Sequence, residues 1–74
     1  MKNRYFVNFV PVSLDRETIC LPFVATSYQV NKLAYVLSLV FKDSQYSSVG
    51  IYQVNGSDSE RVVVLDFPNA KESV

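Results

Sequence analysis

The sequence contains no histidine and no tryptophan, one cysteine and two glycines in 74 residues. Without histidine it lacks the side chain that most often serves as general base and metal ligand near neutral pH. A zinc site would have to be built almost entirely from carboxylates, which is not how proteins hold zinc. A lone cysteine, Cys20, excludes an internal disulfide. Sitting in an apolar stretch with no histidine partner, it reads as a buried, inert thiol. With only Gly50 and Gly56 there is no glycine-rich loop to cradle phosphate, and no serine occupies a Gly-x-Ser-x-Gly elbow. Enzymatic activity, a cofactor and a metal are therefore not expected.

Excess charge of either sign is also missing: seven Lys+Arg balance seven Asp+Glu. Neutrality argues against the basic footprint of a general nucleic-acid binder and against a strongly acidic mimic. No apolar run approaches the roughly 20 residues of a spanning helix. The longest in the middle of the chain, Leu33 to Phe41, is interrupted by Ser38. The start, Met1-Lys2-Asn3-Arg4 before Tyr5-Phe6-Val7, has the flavour of a signal peptide, but Asn8 breaks the apolar run and no small-residue cleavage site follows. A soluble, cytoplasmic protein without membrane contact is expected. Asn55-Gly56-Ser57 fits a glycosylation sequon, and without a secretion signal it reads as a turn.

What the chain does have is apolar and β-branched: 49% hydrophobic residues, including thirteen Val. Stiff β-branched side chains suit strands. Residues 4–12 and 18–25 read as strands, joined by polar residues 13–17. Pro22 cannot donate to a ladder, so the second strand belongs at an edge or carries a bulge. Ser27 reads as a helix N-cap. Residues 28–41 form a helix whose core stripe is Val30, Leu33, Ala34, Leu37 and Phe41, with Lys42 favouring the negative end of the dipole. Residues 43–48 are a polar connection.

A hairpin follows, with strands 49–54 and 60–67. Asn55-Gly56 favours a two-residue turn, which would set Val54 opposite Ser57. A five-residue loop, 55–59, instead sets Val54 opposite Glu60, Tyr52 opposite Val62, Ile51 opposite Val63 and Val49 opposite Leu65, matching apolar with apolar three times, and is preferred. Pro68 ends the strand, and 69–74 reads as a flexible tail. One α+β domain over 1–74 results, in the order β-β-α-β-β, an antiparallel sheet with one helix packed on it.

A two-layer domain of this kind needs one apolar sheet face. Here Tyr5, Val7 and Phe9 share one face of the first strand while Phe6 and Val10 share the other, and the second and fourth strands repeat the pattern. Opposite the core stripe the helix carries Tyr28, Lys32, Tyr35 and Leu39, where a solvated face should be polar. One helix cannot cover all of this. A second copy of the chain is the expected cover, closed two-fold dimers being the commonest oligomers, with Tyr28, Tyr35 and Leu39 as candidate dimer contacts. The alternative is that long loops tuck over one face.

With no catalytic constellation, protein binding becomes the leading function. Residues Val36-Leu37-Ser38-Leu39-Val40-Phe41 resemble the short linear motif by which bacterial proteins dock on the replicative sliding clamp. Leu37, Ser38, Leu39 and Phe41 match, and Val36 stands where the motif has Gln. In size and make-up the chain also resembles small bacteriophage host-takeover proteins, some of which inhibit that clamp. The resemblance implies a non-enzymatic inhibitor that blocks a host replication protein from within the host cytoplasm. Leu37, Leu39 and Phe41 would fill the motif pocket, or the acidic pair Asp58 and Glu60 would enter the clamp's basic DNA channel. Asp58 and Glu60 also read as a loose cation site or a solubilising tip. The alternatives are a single-stranded nucleic-acid binder using Lys2, Tyr5 and Phe6, disfavoured by the scattered basic residues, and a regulatory homodimer that inhibits nothing.

Overall fold

The computed structural model describes residues 1–13, 15–41 and 45–68. Four strands and one helix follow in chain order: β1 Asn3–Pro11, β2 Ile19–Ala25, α1 Ser27–Val40, β3 Tyr46–Asn55 and β4 Asp58–Asp66. The strands form one sheet in the order β2-β1-β3-β4, every neighbour pair antiparallel. This is the α+β, β-β-α-β-β domain expected, and Pro22 lies in an edge strand. The expected tail 69–74 and Lys42 lie outside the described residues.

Helix α1 starts one residue earlier than expected. Thr26, not Ser27, is the N-cap, with an extended backbone (φ −85°, ψ 163°). Its Oγ1 accepts from the Gln29 backbone N–H at 3.1 Å while Gln29 Oε1 accepts from the Thr26 N–H at 2.9 Å. This reciprocal capping box satisfies two backbone donors that a helix start otherwise leaves open. The Thr26-x-x-Gln29 spacing is visible in the sequence and is the signal that Ser27 alone obscures. At the other end the Phe41 N–H donates to the Leu37 carbonyl at 3.0 Å.

Near its turn the hairpin follows neither register weighed from sequence: Val54 faces Ser59, not Ser57 or Glu60. The turn has two residues, Gly56 and Ser57, with Asn55 paired to Asp58. Gly56 takes φ +65°, the left-handed value a tight hairpin turn needs at its first central position. Between Ile51 and Tyr52 the register then shifts: Tyr52 faces Arg61, Ile51 faces Val63, and Val62 is the unpaired residue of a bulge. From there on Ile51–Val63 and Val49–Leu65 pair as the apolar matching demanded. The five-residue loop is thus replaced by a tight turn plus a bulge. The Gly56-Ser57 turn and the core pairing Ile51–Val63 set registers one residue apart, and the bulge reconciles them. β3 also starts earlier than expected, at Tyr46, and a second shift between Val10 and Pro11 pairs Pro11 with Tyr46.

The core lies between helix and sheet. Val49 and Ile51 are completely buried, and Val30 nearly so. Tyr5, Val7, Ala25, Leu37 and Phe67 complete it, with Leu33, Ala34, Phe41, Val63 and Leu65 packed around. Tyr5 stacks on Phe23 at 5.5 Å between ring centroids. Where the helix ends, Phe9, Phe41 and Tyr46 form a triangle with centroids 5.4 to 5.8 Å apart. The helix does not cover β2 completely: Ile19 and Leu21 pair with Phe9 and Val7, so they lie on the helix side, yet both are exposed.

Candidate functional site

Residues directly opposite one another in an antiparallel ladder share a face, so the registers define the sheet surface that α1 leaves open. One row holds Pro22, Phe6, Tyr52 and Arg61; the next holds Cys20, Asn8, Gly50 and Val64; the third holds Val10, Ser48 and Asp66. Towards the hairpin tip, Val24 pairs with Arg4. Val10, Val24, Val62 and Val64 on this surface are exposed, so loops do not tuck over it. At its centre the rings of Phe6 and Tyr52 stack at 4.9 Å and 9°. Tyr52 reaches across Gly50, where an added Cβ would meet the Tyr52 ring at 3.0 Å. A shallow groove of about 400 Å³ opens beside Phe6, walled by Arg4, Pro22, Val24 and Val54.

Cys20 is exposed, which corrects the expectation of a buried thiol. β2 is apolar on both faces, but an edge strand over which no second layer passes buries little. Tyr5 belongs to the core and cannot stack a base. Phe6 does lie on the open face, beside Tyr52 on the neighbouring central strand, which sequence reasoning did not single out. The signal was the pairing of Phe6 with Tyr52, and that exists only once the non-sequential β1–β3 ladder is known.

The second surface is the outward stripe of α1. Tyr28, Tyr35 and Leu39 are 67, 66 and 55% exposed, and Lys32 Nζ lies 5.4 Å from the centroid of the Tyr28 ring, within cation–π range. Val36 and Val40 extend this apolar surface. The dimer contacts named from sequence are therefore all available on one helix face.

The residues that resemble the clamp-docking motif are divided. Leu37 is buried in the core, Phe41 packs in the aromatic triangle, and Leu39 alone points outward. The fold does not present the three as one accessible surface, because helical spacing puts 37 and 41 on the core stripe and 39 on the opposite side. Asp58 and Glu60 are exposed at the start of β4, next to the turn.

Among the described residues there is no cluster of three or more side chains able to hold a metal ion, and no helix long and apolar enough to cross a membrane. No protein-family model, curated protein or solved structure matches the chain.

Proposed function

We propose that the chain is a non-enzymatic protein-binding inhibitor that acts as a homodimer, one apolar surface serving self-association and another the target. The observation that supports this reading is the exposure of large apolar side chains on both sides of so small a domain, on the open sheet face and on the outward stripe of α1. Contiguous exposed apolar surface of this kind marks contact sites in soluble proteins.

The narrower version is a phage-type inhibitor of host DNA replication acting on the sliding clamp, and it rests on the resemblance of residues 36–41 and of the chain's size and make-up. Of its two modes, filling the motif pocket requires Leu37 and Phe41 to leave the core. Entry of the acidic hairpin tip into a basic channel leaves the fold intact, and a dimer presents Asp58 and Glu60 twice. Charge complementarity of this sort mainly steers encounter and sets specificity.

The test mixes the protein with a purified bacterial clamp and follows co-elution in size exclusion at micromolar concentration. A complex that weakens when Asp58 and Glu60 are changed to Lys supports the channel mode. Absence of any complex sinks the clamp version, and binding unaffected by both substitutions removes these residues as the contact.

A further inference from the structure

We infer that the open sheet face is where the homodimer forms: two copies pack face to face about a two-fold axis that crosses the strands at the row of Cys20, Asn8, Gly50 and Val64. This rests on the dimeric reading above and assigns its surface. Three observations carry it.

The first is charge. In β4, Arg61 lies in the row on one side of this axis and Asp66 in the row on the other side, each about 7 Å from it along the strand. Both are exposed on the open face. Rotation about the axis places Arg61 of each copy over Asp66 of the other, so the same contact forms twice, as an isologous interface requires. Helix α1 offers no such match: its only charged residue is Lys32, and a two-fold through that stripe brings together cations without an acid.

The second is area. Four strands about 4.8 Å apart, overlapping about the axis over an average of some six residues at about 3.4 Å each, give a flat footprint of roughly 400 Å² per copy. Two copies supply about 800 Å² of flat projection, and side-chain relief raises it toward the roughly 1,000 Å² of a specific interface. One 14-residue helix about 21 Å long offers about half of that footprint.

The third is the polar content of the centre. Asn8 is half-buried on the axis row and faces its own copy, and an amide carries both donor and acceptor, so the pair satisfies itself. Arg4 falls beyond the overlap, at the solvent rim. A nucleic-acid strand is a poorer occupant, because one face of each ring in the Phe6–Tyr52 stack is already covered by the other and Asp66 stands in the surface.

Light scattering is expected to give about twice the 8.4 kDa chain mass. Arg61→Glu and Asp66→Arg should each raise the dimer dissociation constant at least about tenfold, because symmetry repeats the like-charge contact, and the double variant should restore it. Cys20 reports independently in the unmodified protein: its labelling by a thiol reagent should slow as concentration drives dimerisation. Tyr35→Lys and Leu39→Lys should leave the dimer intact. A dimer broken by the helix substitutions and indifferent to the charge reversals overturns this assignment while the dimeric reading stands. A monomer at all concentrations overturns both, as does Cys20 protection by a single-stranded oligonucleotide without self-association.

Discussion

The bulge at Val62 predicts an unusual tolerance. Removing one residue from the middle of a strand normally turns every side chain beyond it to the other face. In β4, deletion of one valine from the run Val62-Val63-Val64 removes only the unpaired residue. Tyr52 still faces Arg61, the next ladder pair brings a valine opposite Ile51, and Leu65 stays opposite Val49. The variant loses one exposed valine and gains a regular ladder, so its stability should stay within about 1 kcal/mol of the parent, or about 4–8 °C in Tm for a domain of this size. Without a residue to give up, the deletion would turn Val63, Leu65 and Phe67 away from the helix. At roughly 1.5–3 kcal/mol per side chain that is about 5–9 kcal/mol, comparable to the whole stability of roughly 4–11 kcal/mol that 74 residues provide. Thermal melts followed by circular dichroism separate the two, with deletion of Val7 as the control, since β1 is paired without interruption from Asn3 to Phe9. Loss of cooperative melting in the valine deletion, with a folded parent, would refute the bulged β3–β4 register.

Two further predictions concern the helix. Thr26→Ala removes the Oγ1 that accepts from the Gln29 N–H, while the Thr26 N–H keeps its bond to Gln29 Oε1; it should cost about 1 kcal/mol, seen as a lower denaturation midpoint, whereas Ser27→Ala should change it by less than about 0.5 kcal/mol. Leu37→Ala should cost about 2–5 kcal/mol by leaving a cavity under the helix, and Leu39→Ala, three-dimensionally opposite, should be near neutral for the folding of the monomer; equal effects on urea midpoints would contradict the division of the clamp-like segment between core and surface.

Much of this architecture follows from local pattern. The order of elements, the helix core stripe and the far half of the hairpin register are legible because each depends on residues near one another in the chain, whose apolar spacing has one favourable reading. The same holds for the edge position of β2, which follows from Pro22 lacking an N–H. The capping box was equally local, but Ser27 beside Thr26 made two caps plausible, and only the backbone geometry at Thr26 decides between them. For the candidate site, the outward stripe of Tyr28, Tyr35 and Leu39 was visible as helical spacing, while the grouping of Phe6, Tyr52, Arg61, Val64 and Asp66 was not.

By itself, then, the sequence determined that there is more apolar surface than one helix can cover. It did not determine where the excess would lie, because both faces of the strands are apolar and nearly equal in burial value. The tertiary structure decided that: the β1–β3 ladder sets Tyr5, Val7, Val49 and Ile51 under the helix, and the bulge at Val62 keeps Val63 and Leu65 with them. Phe6, Tyr52 and Val64 are left outside by the same pairing. The choice is a long-range one, made by which strands meet and in what register, and no window of consecutive residues contains it.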